Sequence, residues 1–188
     1  MIDLRDQSGF TVEEQEVSNF RTAVLTESRV IDLGTKYWNP AYFVAVDELQ
    51  AALPRSVEEK DASWDRSGGN AREPARIKIR APEGSEVFYS TGQMPAIRLV
   101  RCKRGKVKVS TQYAAYGIKL TDCEDVDIKI DSLYCAHGIE VMNSKGIRIH
   151  DSRIDYAGHA GVKVVGDCDV SIENTMIYRP CFSESTGG

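Results

Sequence analysis

The feature that most constrains this sequence is a repeat of 21 to 23 residues in its second half. Each unit begins at a small residue, which is followed by alternating apolar and polar residues. The four copies are Ala96-Ile97-Arg98-Leu99, Gly117-Ile118-Lys119-Leu120, Gly138-Ile139-Glu140-Val141 and Gly161-Val162-Lys163-Val164. Self-similarity at a fixed period of this size predicts a stacked repeat architecture.

A second alternating stretch follows in every unit, and alternation with period two predicts β-strands. These stretches are Lys106 to Val109, Val126 to Ile130, Ile147 to Ile149 and Val170 to Ile172. No segment between them is long enough for a crossover helix, so strands one repeat apart are expected to pair in parallel. The sequence therefore predicts an all-β fold, a parallel β-helix of about five short coils.

Composition limits the class of protein only broadly. The chain has 188 residues, a formal net charge of −4 and five cysteines. The mild charge gives no reason to expect a nucleic-acid partner, and no apolar run is long enough to span a membrane. The first residues contain no signal-peptide pattern, and the odd cysteine count favours reduced thiols. A cytoplasmic location is predicted, or a secreted or virion-associated one if the chain is part of a longer or phage protein.

Residues 1–75 lack the repeat and are predicted to cap the coils formed by residues 76–188. Thr11-Val12-Glu13-Glu14 has the form of a capping box, which predicts a helix over about 11 to 25. Short strands are predicted at residues 29–33 and 42–46, and a short helix at residues 47–53 ends before Pro54. Residues 55–75 are predicted to form a polar surface loop.

The Gly-Ile-x-Val…Val-x-Ile coils and the helix predicted at residues 47–53 resemble the right-handed parallel β-helix superfamily. This superfamily includes pectate lyases, polygalacturonases and many phage tailspikes. The resemblance covers roughly residues 42 to 183 and implies a right-handed coil with a cap before it. It also implies that one outward face carries the active groove.

Stacked strands convert one position of each coil into a column of residues about 4.8 Å apart. Since Val126, Ile128 and Ile130 are expected to point inward, Asp127 and Lys129 should point outward. Two neighbouring outward columns follow from the period: Lys106-Asp127-Arg148-Ser171 and Lys108-Lys129-His150-Glu173.

The leading hypothesis is a protein that binds or cleaves an acidic polysaccharide, as a lyase or a glycoside hydrolase, without a cofactor. Lys129 and Arg148 would hold the carboxylate of the sugar, and His150 or Asp127 would act as acid or base. Lys106, Lys108 and Glu173 would add ligand contacts, and like charges would lower a lysine pKa. The alternative for all of these positions is charge that serves solubility.

The motifs of the superfamily are not reproduced. Pectate lyases often carry an Asp-His pair on this sheet, whereas this chain has Ile149-His150-Asp151. Polygalacturonases carry Gly-His-Gly, whereas this chain has Gly158-His159-Ala160. These departures keep open a second class of function, a non-catalytic assembly or recognition protein such as a phage- or cell-surface component.

Two further columns have a structural and a functional interpretation. Tyr113, Tyr134, Tyr156 and Tyr178 are predicted to stack, as a structural ladder or as a platform for a ligand. Cys135, His137, His159 and Cys181 are weak candidates for a zinc site, although their spacing matches no familiar signature and the main prediction is no metal. Cys102 and Cys123 are expected to form a column in the core.

Charge and the last coil suggest two contact surfaces. Residues 98–108 hold six basic side chains and no acidic one, which predicts a positive band. This band would attract a polyuronate or phosphate, unless Glu13, Glu14 and Glu16 lie against it. The last coil is expected to leave unpaired backbone, which predicts association with another subunit or continuation in a longer chain.

Overall fold

The alternation of apolar and polar residues appears as β-strands in a computed structural model of the chain, and the described residues form eighteen of them. The structure describes residues 1–24, 29–32, 43–46, 63–67, 76–80, 84–90, 94–135, 137–155, 157 and 160–178. The first eight strands are β1 (Ile2–Arg5), β2 (Thr11–Ser18), β3 (Arg21–Val24), β4 (Arg29–Asp32), β5 (Phe43–Val46), β6 (Ser63–Ser67), β7 (Arg76–Arg80) and β8 (Glu86–Ser90). The others are β9 (Pro95–Val100), β10 (Lys103–Gln112), β11 (Tyr116–Thr121), β12 (Glu124–Leu133), β13 (His137–Met142), β14 (Lys145–His150), β15 (Arg153–Asp155), β16 (Ala160–Val165), β17 (Val170–Glu173) and β18 (Met176–Tyr178).

Parallel pairing between successive coils builds two main sheets, which confirms the predicted parallel β-helix. The first sheet has the order β1-β9-β11-β13-β16, and the second has the order β17-β14-β12-β10-β2. β15 pairs in parallel with β12 and with β18 beyond a bend in the second sheet. Four consecutive coils lie between Pro95 and Tyr178, and β1 with β2 adds a fifth rung, or strand layer.

The core consists of the inward columns of these sheets. Ile97, Ile118 and Ile139 occupy the same register position, and all three are fully buried. Ile128 and Ile149 form an equivalent buried pair in the second sheet. Each buried isoleucine contributes about 1.5–3 kcal/mol relative to an exposed one, so the stacked columns supply much of the stability.

Left-handed backbone residues turn the chain at the corner between the two sheets. Arg101, Asp122 and Asn143 have φ angles of 51°, 54° and 45°, and each donates its amide proton to a carbonyl of the next coil. Asp and Asn tolerate this conformation well. The predicted column of Cys102 and Cys123 is confirmed next to this corner, and both thiols are buried.

The helix predicted over residues 11–25 is wrong, because these residues include strands β2 and β3. β2 pairs in parallel with β10, and the register shifts between Val109 and Thr111. This bulge places one extra residue between Val12 and Val17, so both side chains are buried although their separation is odd. The resulting uneven spacing of buried valines resembles the apolar stripe of an amphipathic helix, which explains the wrong prediction.

Two antiparallel sheets are formed by strands between β2 and β9. Their orders are β3-β8-β5 and β4-β7-β6. The strands predicted at residues 29–33 and 42–46 are confirmed as β4 and β5. The loop predicted over 55–75 is wrong at Ser63–Ser67, which is β6, and the helix predicted at 47–53 lies outside the described residues.

No helix long and apolar enough to cross a bilayer occurs in the described parts of the chain.

Candidate functional site

The predicted outward columns lie on the second sheet. Lys106 is in register with Asp127, Asp127 with Arg148, and Arg148 with Ser171, so the first column is confirmed in full. The second column holds in two parts, Lys108 with Lys129 and His150 with Glu173.

The ladder of parallel pairing that joins β12 to β14 and then to β15 is interrupted where Lys129 and His150 would pair. Pairing ends at Ile128 with Ile149 and resumes at Asp131 with Arg153. Two residues of β12 therefore face three residues of the next coil. Asp151 has a φ angle of 45° at this irregularity. The irregularity brings His150 within reach of carboxylates on both sides.

His150 connects two aspartates through both of its ring nitrogens. Its Nε2 atom lies 2.6 Å from Oδ1 of Asp127, and its Nδ1 atom lies 3.1 Å from Oδ2 of Asp151. The hydrogen bond to Asp127, followed by the one to Asp151, raises the pKa of His150 above its ordinary value. Asn174 donates to Asp151, and this bond together with His150 lowers the pKa of Asp151.

This arrangement favours a charged structural cluster over general acid–base catalysis. A general base needs a free nitrogen within hydrogen-bond reach of the substrate. Both nitrogens of His150 already face carboxylates, and only 20% of its side chain is exposed. In this geometry His150 links its own coil to the preceding one through Asp127, and Asn174 of the next coil joins the cluster through Asp151.

Arg148 is also engaged by carboxylates. Its guanidinium lies 3.7 Å from Asp127 and 3.3 Å from Glu173, one coil away on either side. Half of the Arg148 side chain is exposed, so it retains access to solvent. Binding of a ligand carboxylate by Arg148 would therefore compete with two acidic residues of the chain itself.

Beside this cluster, a trough follows the bend of the second sheet. One part has a volume of about 650 Å³, and an adjoining part has a volume of about 850 Å³. The two parts share Lys129, Asp151 and Arg153, so they adjoin one another, and the second part is shallow and widely open to solvent. The other polar residues that line it are Glu13, Glu14, Lys108, Ser110, Asp131, Ser152, Asn174 and Thr175.

The trough follows the repeat, because successive rungs place a pair of residues on either side of the bend. These pairs are Lys108 with Ser110, Lys129 with Asp131, and Asp151 with Arg153. Five rungs span four spacings of about 4.8 Å, which gives a length of roughly 19 Å. Of the predicted site residues, Lys108 and Lys129 line the trough, whereas Asp127, Arg148, His150, Lys106 and Glu173 do not.

Sequence reasoning did not identify the acidic and amide residues of the trough. Asp131, Asp151, Arg153 and Asn174 lie at the bend, and no period-two pattern marks the bend in advance. The recurrence of polar residues two positions after each outward lysine was the available signal. That signal is weak without knowledge of where the strand bends.

The two lysines of the trough have different surroundings. Lys108 donates to Glu13 at 2.8 Å, and this contact raises the pKa of Lys108 above its ordinary value. The lowering of a lysine pKa by like charges does not occur at Lys108, because the opposite charge of Glu13 dominates. Lys129 is exposed and forms no ion pair within the part of the chain that the structure describes.

Half of the six basic residues in the positive band predicted at residues 98–108 are paired with acids of the first rung. Arg101 pairs with Asp6 at 2.7 Å, Lys108 pairs with Glu13, and Arg98 lies 3.6 Å from Asp3. Of Glu13, Glu14 and Glu16, which were expected to lie against this band, Glu13 of β2 forms an ion pair with it. Asp3 of β1 and Asp6 of the following turn, which were not predicted, supply the other two acidic partners.

Two other predicted columns have structural partners. The Tyr113 and Tyr134 rings stack with centroids 5.7 Å apart, while Tyr156 lies outside the described residues. Tyr178 is in register with Asp155 and Leu133, so its predicted place in this column is wrong by one residue. His137 stacks on Tyr116 at 5.1 Å. The Cys135 thiol is buried and donates to the Leu133 carbonyl.

The zinc candidates are only partly described. Cys135 and His137 are placed by the structure, whereas His159 and Cys181 lie outside the described residues. Among the described residues, no group of three or more His, Cys, Asp or Glu side chains has the geometry to hold a metal ion.

A buried carboxylate, that of Glu140, lies on the first sheet in register with lysines of both neighbouring coils. Glu140 is 2% exposed, and each of its two oxygens accepts from a different lysine at 2.8 Å, Lys119 and Lys163. Burial alone would raise the pKa of Glu140, but the two ammonium groups outweigh it and lower the pKa. Glu140 therefore ties three coils together by charge.

The fold and site define a parallel β-helix with a polar trough along its second sheet. Comparison with models of known protein families, with curated proteins and with solved structures finds no match.

Proposed function

We propose that this chain binds a polysaccharide in the trough of the second sheet and does not cleave it. The supporting observation is the trough itself, which crosses successive coils and presents hydrogen-bonding groups at each of them. A linear polymer with a repeated set of hydroxyl groups suits a surface that repeats every 4.8 Å or so.

The lining residues support binding of hydroxyl groups. The carboxylates of Asp131 and Asp151 accept hydrogen bonds, whereas Lys129 and Arg153 donate them. Hydrogen bonds that involve a charged partner are stronger than those between neutral groups. Sugar hydroxyls donate and accept, so they match both kinds of residue.

Charge balance favours a neutral polysaccharide over the acidic one that the sequence suggests. Four carboxylates line the trough, from Glu13, Glu14, Asp131 and Asp151. Two of its three cations are paired within the chain, Lys108 with Glu13 and Arg153 with Asp155. A polyanion would meet repulsion from the acids that remain.

Binding without cleavage is proposed because the candidate acid–base groups are engaged with one another. His150 contacts Asp127 and Asp151, and Arg148 lies between Asp127 and Glu173. None of His150, Asp127 and Arg148 lines the trough.

A matched pair of lysine variants tests this proposal. Lys129 and Lys106 are both exposed on neighbouring coils, but only Lys129 lines the trough. Titration calorimetry with panels of neutral and acidic oligosaccharides should detect a neutral ligand. Lys129→Ala should weaken its binding roughly tenfold, which corresponds to the loss of one charge-assisted hydrogen bond, while Lys106→Ala should leave it unchanged.

Three outcomes oppose the proposal. Equal weakening by both variants would indicate general electrostatic attraction instead of a site. Release of products from a bound oligosaccharide would show that the protein is an enzyme. Absence of binding to every member of both panels would remove the carbohydrate hypothesis.

The alternative class, a non-catalytic assembly protein, is favoured by a different observation. Apolar side chains are exposed on the last coil, at Val164, Ile172 and Ile177 among others. That surface has no connection with the trough lining except through Met176 of β18.

A further inference from the structure

The carboxylate of Asp151 is shared by both parts of the trough and is held from two sides. Its Oδ1 atom accepts a hydrogen bond from Nδ2 of Asn174 at 2.5 Å, and its Oδ2 atom lies 3.1 Å from Nδ1 of His150. The Asp151 side chain is 47% exposed. These two hydrogen bonds, more than packing, therefore fix its position in the trough.

His150 can hold Asp127 and Asp151 together only while it is protonated. An imidazolium donates through both ring nitrogens, whereas a neutral imidazole has one donor and one acceptor. The contact with Asp127 is the shorter one, at 2.6 Å against 3.1 Å, and Asp127 is also less exposed than Asp151. The remaining proton of a neutral His150 therefore stays at Nε2, and the hydrogen bond to Asp151 is the one that is lost.

The charges around His150 turn this loss into repulsion. Three successive coils supply the groups that face it, which are Asp127 and Lys129 of the preceding coil, Arg148 and Asp151 of its own coil, and Glu173 with the neutral Asn174 of the next coil. With His150 protonated, three cations balance three carboxylates. With His150 neutral, the carboxylates are in excess and a lone pair of Nδ1 faces Oδ2 of Asp151.

Lys129 is the neighbour that can receive the released carboxylate. It lines both parts of the trough, it is exposed, and no ion pair engages it among the residues that the structure describes. Hydrogen bonds from Asn174 and His150 lower the pKa of Asp151, and the charge of Lys129 lowers it further. Successive rungs lie about 4.8 Å apart, a distance that a flexible lysine side chain covers.

We infer that His150 is a proton-dependent positioning residue of the trough, which keeps Asp151 away from Lys129 while it is protonated and releases Asp151 when it is neutral. In the protonated state, Asp151 is fixed and Lys129 is available to a ligand. In the neutral state, the two side chains pair with each other and both are withdrawn. Ligand affinity should therefore fall as the pH rises through the pKa of His150. This effect on affinity rests on the proposed function, whereas the movement of Asp151 does not.

NMR titration of the unmodified, ligand-free chain tests the movement. The side-chain amide of Asn174, which donates to Asp151, should shift with the same midpoint as the His150 imidazole. The side-chain amide of Asn143, at the corner between the two main sheets, is the control and should not follow this midpoint. His150→Gln should abolish the shift of Asn174. An Asn174 amide that does not respond at the midpoint, or that responds equally in His150→Gln, would overturn the inference.

Titration calorimetry tests the effect on affinity, with cellohexaose and maltohexaose as neutral probes. Binding should be weaker by roughly fivefold one pH unit above the His150 midpoint than one unit below it, because a charge-assisted hydrogen bond is lost. His150→Gln should bind equally at both pH values. An affinity that is unchanged across the midpoint, or a loss that persists in His150→Gln, would contradict the inference. Absence of binding by both probes would count against the proposed function alone, since the Asn174 titration still decides whether His150 positions Asp151.

Discussion

The Nε2 atom of His150 lies 2.6 Å from Oδ1 of Asp127, one coil earlier. Its other ring nitrogen faces Asp151, so the imidazole, when protonated, donates to a carboxylate through each ring nitrogen. The cluster occupies the position that the repeat period predicts for an acid–base pair. Its geometry instead joins the coils to one another.

The first prediction concerns the pKa of His150. Hydrogen bonds to Asp127 and then to Asp151 raise this pKa above the ordinary 6.5. NMR titration of the imidazole should give a midpoint above 6.5, and Asp127→Asn should lower it. Asp167→Asn, which removes an exposed aspartate paired with Lys145, serves as the control and should leave the midpoint unchanged.

The same cluster predicts how stability depends on pH. Because the folded pKa is raised, the protonated His150 contributes its stability in full below the unfolded pKa, and this is lost as the pH rises through the folded pKa. His150→Gln should therefore cost most below a pH of about 6.5, up to about 1 kcal/mol for a partly exposed pair. Urea unfolding of both proteins across this range measures the difference, and a cost that grows with pH would contradict the assignment.

Glu140 should contribute more to stability than an exposed glutamate. Glu140→Gln should reduce the free energy of unfolding by about 1–3 kcal/mol, because Lys119 and Lys163 would lose their shared buried partner. Glu124→Gln is the matched control, since Glu124 pairs with Lys103 but is 50% exposed, and it should cost clearly less than Glu140→Gln.

The lowered pKa of Glu140 gives this contribution a definite pH dependence. The stability is present above the unfolded pKa of about 4.5 and is lost as the pH falls through the lower folded value. Equal losses of unfolding free energy for Glu140→Gln and Glu124→Gln at neutral pH would show that the buried ion pairs of Glu140 add no more stability than an exposed pair.

The period of the sequence predicts the columns and therefore most of the fold. Ile118 and Ile139 pair as their 21-residue separation requires. The presence of a small residue at the start of each unit is explained by steric crowding between coils. A Cβ atom at Gly138 would lie 2.6 Å from the Gly161 carbonyl oxygen and 2.6 Å from the Ile154 side chain. Close approach of neighbouring coils thus explains why these positions are glycine.

The first rung could not be recognised from the period. Ile2-Asp3-Leu4 pairs with Ile97-Arg98-Leu99, but 95 residues separate the two copies. In β2, the bulge opposite Val109 and Thr111 disrupts the alternation that identifies a strand.

The candidate site was only half predictable for a related reason. Register predicts which coil neighbours His150 but not which side chain it contacts. The interrupted ladder after Ile128 and Ile149 rotates His150 toward Asp127 and brings Asp151 beside it. Such irregularities depend on local packing at the bend, which the repeat does not encode.

Thiol reactivity should follow burial. Cys123 and Cys135 are buried, and burial raises the pKa of both thiols, so few of them ionise at neutral pH. Cys168 is partly exposed. Iodoacetamide should therefore modify Cys168 well before Cys123 and Cys135, as followed by peptide mass spectrometry.

Denaturation supplies the control for this prediction. In urea the three thiols should react at similar rates, because burial no longer protects any of them. Modification of Cys123 as fast as Cys168 in the native chain would contradict the described core.

Alanine substitutions at two positions of one inward column should distinguish the closed core from its exposed end. Ile128 is fully buried, so Ile128→Ala should cost about 2–5 kcal/mol through lost transfer energy and a cavity. Ile172 occupies the same column two coils later but is 47% exposed, so Ile172→Ala should cost at most about 1.5 kcal/mol. Urea unfolding of both variants measures the two costs, and a cost for Ile172→Ala as large as that for Ile128→Ala would mean that other residues of the chain cover this side chain.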